Sequence, residues 1–489
     1  MSKRVIVVGS GNAALCAGIA ALEGGAEVLM LEKADEALAG GNTKYTAGAM
    51  RFAYDGVDDL LPLLKNLDDP RLKKTDFGGY TKTKFGEDLL MFNGGRPLSP
   101  EQEKLISESL PAMQWLGEHG VKFEPIYSRQ SFEKDGRHVF WGGLTLAAEN
   151  EGVGLFEMEL AAFERMGGTI RYNAGVTHLL TEHGQVTGVA VGEQEIAADA
   201  VILACGGFEA SEDLRRDWMG ANWAKAKVRG TPMNTGDGLV MAAGLDAETT
   251  GLIDGCHATP MDLHMAEFGG LDLPASERKN YRKICYFLGV MLNAKGERFV
   301  DEGENFRNYT YAQFGKAVLD QPGHFAWQIF DAKVEGLLYG EYSFHDAHFV
   351  EADTLDGLIE KLDGVDPDGA RATLAAFNAA VDQSVAFDPT ILDGKGTQGL
   401  PLPKSNWAQA FDKPPFKAYP VTGGITFTYG GLKVNGDGQV MAKTGGTIGG
   451  LFAAGEMVGG VFFEGYPGGS GLTSGAVFGR TAGRSAAQG

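Results

Sequence analysis

The sequence predicts an α/β protein, and three observations carry that prediction. An apolar run at 4–8 leads into Gly9-Ser10-Gly11-Asn12-Ala13-Ala14 and then a helical stretch to about Glu23. A second apolar run, 26–31, ends at Glu32. Two more strand-like runs, 200–204 and 451–454, come much later and lead into glycines or a carboxylate. Strand, glycine turn, helix, second strand and acid fall in the register of a Rossmann-like βαβ unit, which the later runs rejoin.

Each element of that unit has a physical reason. Gly9 permits the tight turn, Gly11 lets backbone approach a pyrophosphate, and Ala14 lets helix and strand pack closely. The helix start, with Asn12 and Ala13, offers free amides and a positive dipole end to phosphates. Glu32 can accept hydrogen bonds from a ribose, and Lys33 follows it. Small and hydroxyl residues at 40–48 would lie beyond the pyrophosphate, where an isoalloxazine ring sits. They make Gly41, Asn42, Thr43, Ala47 and Gly48 candidate contacts. Val176, in the strand-like blocks at 169–204, joins them, as do Cys205, Gly206 and Gly207. Gly455 and Glu456 close the set at the last strand. Three returns to the nucleotide are the habit of FAD-binding chains, so FAD is the expected cofactor. No second GxGxxG follows, and no separate NAD(P)H domain is visible.

Composition narrows the classes. A chain of 489 residues with 44% hydrophobic and 22% charged residues buries a sizeable core and suggests more than one domain. A net charge of −21 argues against nucleic acid or an anionic membrane as partner. Any anionic substrate would then need local cations. Cys16, Cys205, Cys256 and Cys285 form no metal, haem or iron–sulfur spacing, so no metal is expected. Lone thiols suit the cytoplasm. Lys3-Arg4 before an apolar run imitates a signal peptide, but Gly9-Ser10-Gly11-Asn12 breaks the run. No apolar run is long enough to predict a membrane span.

The motifs GGNTK at 40–44, ACGGF at 204–208, RFVDE at 298–302 and AAGE at 453–456 resemble the fumarate reductase/succinate dehydrogenase flavoprotein superfamily, in the expected order over nearly the whole chain. Within it, WLGEHGVKF at 115–123, DEGENF at 301–306 and YPGGSGLTSGAVFGR at 466–480 most resemble the FAD-dependent tricarballylate dehydrogenases. Tyr466-Pro467-Gly468 is also similar to the ketosteroid dehydrogenases. The resemblance implies a Rossmann-like, glutathione-reductase-like FAD-binding domain, discontinuous over 1–251 and 421–489. An α+β capping domain is inserted at 252–420, with strands near 286–300 and 325–330 and a helical pair near 354–387. Some members attach flavin through a histidine past the glycine pair. Lys44, Tyr45 and Thr46 stand there, so noncovalent FAD is expected. Ser470, Gly471 and Leu472 would open a helix whose amides point at the flavin pyrimidine edge.

For catalysis the resemblance implies His257 as a substrate-binding residue and Arg307 as a proton-delivery candidate. Arginine stays protonated, so Arg307 could act only in a relay with Glu302 or Glu304. Tyr309 and Tyr311 are rival proton carriers. Phe427 and Tyr466 replace a histidine and an arginine that bind carboxylate in fumarate reductases, which argues against succinate or fumarate. Tyr466 can donate a hydrogen bond, and Phe427 offers an apolar wall. The run Glu277-Arg278-Lys279-Asn280-Tyr281-Arg282-Lys283 is either a solvated face or a receptor for carboxylates. The expected function is oxidoreduction of a CH–CH bond in a small polycarboxylate such as tricarballylate, with a separate electron-transfer partner. Two alternatives stay open: an α,β-unsaturated ketone as substrate, and a non-catalytic flavin electron carrier.

Overall fold

The computed structural model describes residues 2–140 and 143–488, which form two units. The first comprises 1–219, 230–256 and 427–489; the second comprises 220–229 and 257–426. The main segment of the second unit, 257–426, begins and ends a few residues later than the 252–420 read from sequence, and that unit also takes 220–229.

The first unit is built on a sheet whose core is parallel. Its strands run in the order Thr447–Ala453, Ala200–Leu203, Arg4–Val8, Glu27–Leu31, Thr169–Arg171. Val5, Ile6 and Val7 are fully buried, as are Val201, Ile202 and Leu203, which is why these strands read as unbroken apolar runs. Antiparallel strands flank one edge, among them His178–Glu182 and Gln185–Val191. The strand order reverses around Arg4–Val8. Ligands of such sheets bind beyond the carboxyl ends of the strands at that switch point. Those ends carry Gly9, Glu32, Cys205 and Gly455, so the topology alone collects four separate motifs in one crevice.

The first helix, Asn12–Glu23, packs against the last, Ser470–Gln488. Gly475, Gly479 and Gly483 recur at spacing four and form a ridge without side chains. A Cβ on Gly479 would lie 2.4 Å from the Ala13 carbonyl oxygen, and one on Gly483 would lie 2.1 Å from that of Ala17. The contacts advance together along both helices, so the two run parallel with their N-termini at the same end. Helix Pro100–Glu118 starts at Ser99, whose hydroxyl accepts from the Gln102 amide while the Gln102 side chain accepts from the Ser99 amide.

Helix Glu151–Arg165 brings an acid into this core. Glu159 is fully buried, its Oε1 accepts only from the Cys16 thiol at 3.6 Å, and its Oε2 has no partner among the described residues. Burial pushes its pKa well above the ordinary carboxyl value. The folded state therefore keeps a proton that the unfolded chain has released. Stability linked to Glu159 is full below the unfolded value and declines as pH rises toward the folded one, by about 1.4 kcal/mol per pH unit. Glu159→Gln should remove that slope. Urea unfolding at several pH values between about 5 and 9 checks it, and a variant as pH-sensitive as the parent would refute the assignment.

The second unit has a mixed sheet ordered Lys227–Val228, Phe416–Thr428, Phe325–Phe330, Val290–Leu292, with Cys256–Asp262 and Val350–Ala352 also on the long strand. Helices Leu355–Ile359 and Pro367–Ala380 cover it through Leu358, Leu374 and Phe377. Helix Arg307–Leu319 approaches the sheet at Gly315, where a Cβ would lie 2.5 Å from the Ala258 backbone. Among the described residues no helix is long and apolar enough to cross a membrane.

Candidate functional site

The crevice of the first unit separates glycines that shape backbone from glycines that leave room. Gly9 has φ +105°, and a Cβ there would lie 2.5 Å from the Ala204 carbonyl oxygen. Gly11 has φ −73° and ψ 178°, open to any residue, and a Cβ would make only ordinary contacts with Thr43 Oγ1 and the Gly40 oxygen. Gly41 faces nothing but the Gly11 Cα, and Gly471 nothing closer than 3.7 Å, at the Phe427 ring. Packing leaves all three positions open, as a ligand running between them requires; at Gly41 the backbone, with φ +53°, calls for glycine as well.

The polar groups around this channel are ordered. Glu32 accepts from Ser10 Oγ at 2.5 Å and from the Ala34 amide at 2.7 Å, and Ser10 Oγ accepts from the Gly40 amide. Asn12 ties both helix starts to the next loop: its amide donates to Thr43 Oγ1 and its Nδ2 to the Leu472 carbonyl at 2.8 Å. Its side chain is thus spent on architecture. Ala13 packs under Gly455 and Gly475, and Ala14 is fully buried. Lys33 donates to Thr235 Oγ1 and pairs with Asp237 at 2.8 Å, anchoring helix Asp237–Ala243. Asn42 donates to Glu209 and accepts from the Thr231 amide. Ala47 is half-buried, while Gly48, at φ +64°, packs on the Glu151 backbone. Val176 lies just past Ala174, whose amide donates to the Glu32 carbonyl. Gly206 and Gly207 make room for Asn234 and for Glu456 with Thr428. Burial pushes the Cys205 thiol up to about 12, so it is no thiolate. Ser470 donates from both Oγ and its backbone amide to the Pro467 carbonyl, so the next amides of helix Ser470–Gln488, those of Gly471 and Leu472, are the ones a ligand would meet.

This donor set fits a dinucleotide: a bare-glycine channel, a buried carboxylate at one side, and two parallel helix N-termini whose dipoles favour phosphate and other anions. The profile of the FAD_binding_2 family, described as "FAD binding domain", matches residues 4–472. The chain belongs to the FAD_binding_2 family. FAD is its cofactor, and this flavoprotein falls in the fumarate reductase/succinate dehydrogenase superfamily. It is similar to the NADH:acrylate oxidoreductase of Vibrio harveyi, 27% identical over 99% of this chain and 50% of that protein. It is similar to a probable fumarate reductase, Ifc3, of Shewanella frigidimarina, 28% identical over 99% of this chain and 75% of that one. This chain therefore spans only part of these relatives' length. The 3-ketosteroid Δ1-dehydrogenase structure from Sterolibacterium denitrificans shares the fold, with TM-score 0.73, 20% identity and full coverage of both chains.

Beside Gly471 in this FAD_binding_2 protein stands a group of rings. Phe427, Tyr429, Phe462 and Tyr466 meet mostly edge to face with centroids 5.3 to 5.9 Å apart. Phe427 and Tyr466 were expected here; Phe462 and Tyr429 were not, since single aromatics in loops carry no signal. Beneath the Tyr466 loop lies Arg51, fully buried, which donates from Nε to the Gly468 carbonyl at 2.8 Å and from its amide to that of Gly469.

In the second unit His257 is buried, and burial with the nearby Arg229 guanidinium pushes its pKa well below the usual value, so the imidazole is neutral. Its ring meets Tyr311 edge-on at 4.9 Å. Arg307 and Tyr311 are four apart in helix Arg307–Leu319 and share a face; Tyr309 is two positions on, about 200° round the helix. The structure brings the Tyr311 ring to His257. The relay through Glu302 or Glu304 is not formed. Glu302 is taken by Arg298 at 2.5 Å and the Met291 amide, Glu304 is exposed, and Arg307 donates to Tyr339 Oη at 2.8 Å. The 277–283 run is neither a solvated face nor an open receptor. Arg282 pairs with Glu341, Lys283 is fully buried with its Nζ on the Glu341 carbonyl, and Arg278 holds the Leu271 and Leu273 carbonyls. Sequence reading missed Arg229, which donates to Thr426 Oγ1. The Val228-Arg229-Gly230 stretch gave no motif.

Proposed function

We propose that the protein oxidises or reduces a CH–CH bond of a small polycarboxylate such as tricarballylate, exchanging electrons with a separate redox partner. Bound FAD, held noncovalently, supplies the two-electron acceptor or donor. The observation that carries this reading is the second unit's cluster of a neutral His257 with Arg229, Tyr311 and Arg307. Arginines there suit a carboxylate, because the guanidinium stays charged and presents a fork that matches two oxygens. A neutral imidazole can hydrogen-bond the substrate without adding charge, and the Tyr311 phenol, whose ring meets His257, would carry the α proton. The separate partner follows from the cysteine spacing, which provides no iron–sulfur or haem ligation. Cysteines held in no disulfide among the described residues support a reducing cytoplasm. Anaerobic titration of the FAD-loaded protein with tricarballylate, fumarate and cyclic enones tests the proposal. Flavin bleaching or reoxidation by the polycarboxylate supports it; a response to enones alone overturns it.

The second reading, a ketone substrate, is favoured by the ring cluster, where a fumarate reductase would present carboxylate-binding residues. Under either reading the Tyr466 hydroxyl donates to the activating oxygen. Tyr466→Phe should leave FAD bound and lower kcat/KM by about 10²-fold, the worth of one oxyanion donor at roughly 3 kcal/mol. Steady-state rates with the substrate found above check it, and unchanged turnover would reduce Tyr466 to packing.

A further inference from the structure

We infer that Arg51 is a positioning residue for Tyr466: the arginine, aimed by the buried Asp88, fixes the Gly468-Gly469 backbone and so sets where the Tyr466 hydroxyl stands. The inference rests on the reading of Tyr466 as hydrogen-bond donor to the substrate, and deepens it. Arg51 follows the short strand Ala49–Met50, and Asp88 lies in helix Lys82–Leu90. Both side chains are fully buried. Arg51 Nη1 pairs with Asp88 Oδ2 at 3.4 Å, and Tyr80 Oη donates to the same oxygen at 2.7 Å. Lys84 Nζ reaches Asp88 Oδ1 at 3.3 Å. The guanidinium lies over the Tyr80 ring, 5.1 Å from its centroid. Asp88 and Tyr80 thus hold the arginine by one edge and one face.

The backbone that Arg51 meets is held on both sides of Tyr466. Arg51 Nε donates to the Gly468 carbonyl at 2.8 Å, and the Arg51 amide donates to that of Gly469 at 3.1 Å. The Pro467 carbonyl is taken by the Ser470 amide and hydroxyl. Three successive carbonyls after Tyr466 are therefore fixed. A Cβ on Gly469, at φ +87°, would lie 2.3 Å from Leu144 Cδ1 and 3.1 Å from the Arg51 amide nitrogen, so the turn is closely fitted. Upstream, the Glu464 amide donates to the Phe92 carbonyl at 2.9 Å, and Gln102 Nε2 donates to that of Val461 at 3.0 Å. Tyr466 stands between these two clamped stretches, its ring 5.3 Å from that of Phe427 and 5.4 Å from that of Phe462.

Stability alone gives little reason to bury this ion pair, because desolvation offsets much of its attraction. Geometry gives one. A donor to a reacting oxygen works only at hydrogen-bond distance, and a displacement of about 1 Å can cost about 10²-fold in rate. A guanidinium serves Gly468 through Nε and Asp88 through Nη1 at once. A lysine ammonium is a point charge on a flexible stem and cannot span both.

The test uses the FAD-loaded protein labelled with fluorotyrosine, in which the Tyr466 fluorine signal is the one that Tyr466→Phe removes. Arg51→Lys should keep full flavin content and move that signal. Its kcat/KM for tricarballylate should fall about tenfold or more in the parent and not at all in Tyr466→Phe. Asp88→Asn, which keeps the size and one acceptor oxygen, should act the same way to a smaller degree, and it carries the comparison if Arg51→Lys does not fold. An unmoved Tyr466 signal, even with that of Tyr80 displaced, overturns the inference. So does an equal loss of kcat/KM with and without the Tyr466 hydroxyl. A protein inert toward tricarballylate refutes the polycarboxylate reading, and parental turnover in Tyr466→Phe refutes the donor reading; in either case the fluorine signal, read without substrate, decides whether Arg51 positions the ring.

Discussion

Gly11→Val is expected to yield a folded protein without FAD. The backbone at Gly11 is extended, so valine brings no strain, and its Cβ would sit in ordinary contact with Thr43 and Gly40. What valine fills is the channel between Gly11 and Gly41. A pyrophosphate cannot share that space with two methyls, so affinity should fall by at least about 10³-fold, on the order of 4 kcal/mol. The contrast is Gly9, where positive φ and the Ala204 carbonyl make glycine necessary to the fold itself. Flavin content of the purified variant, with circular dichroism to confirm the fold, decides the matter. A Gly11→Val protein that keeps its full flavin would remove the pyrophosphate from this channel.

Gly479→Val is expected to strike the fold first. Here an added Cβ lies 2.4 Å from the Ala13 carbonyl oxygen and 2.9 Å from the Cys16 Cβ, both on the facing helix. Backbone cannot turn aside as a side chain does, so the helices must separate. Overpacking of a well-packed contact typically costs about 1–3 kcal/mol, and a clash with backbone belongs at or above that upper end. A melting temperature several degrees lower should follow, with a smaller loss for Gly479→Ala. A variant melting with the parent would mean the two helices do not meet along this ridge.

The contrast between these glycines marks what the sequence could convey. The FAD fingerprint was legible because its meaning is local: strand, turn, helix and acid act within thirty residues, and spacing alone identifies them. Helix Pro100–Glu118 carries its start signal just as locally, in Ser99 and Gln102. The fate of Arg282 was not legible, because its partner Glu341 is 59 positions away and one acid among 64 carries no mark. That Tyr311 shares a face with Arg307 depended on where a helix begins. Arg51 was equally hidden, since its bond to the Gly468 carbonyl spans 417 positions.

The bond from Asn12 to the Leu472 carbonyl joins residues 460 positions apart. On a ribosome adding roughly 5–20 residues per second, the second partner follows the first by roughly 20–90 s. Throughout that interval the glycine turn exists without the helix that completes it, and its nascent start has no parallel neighbour to concentrate the field. Cofactor capture is thus deferred until residue 472 has been made. A chain interrupted before residue 472 emerges flavin-poor, and the yellow colour of the preparation becomes a record of translation past that point.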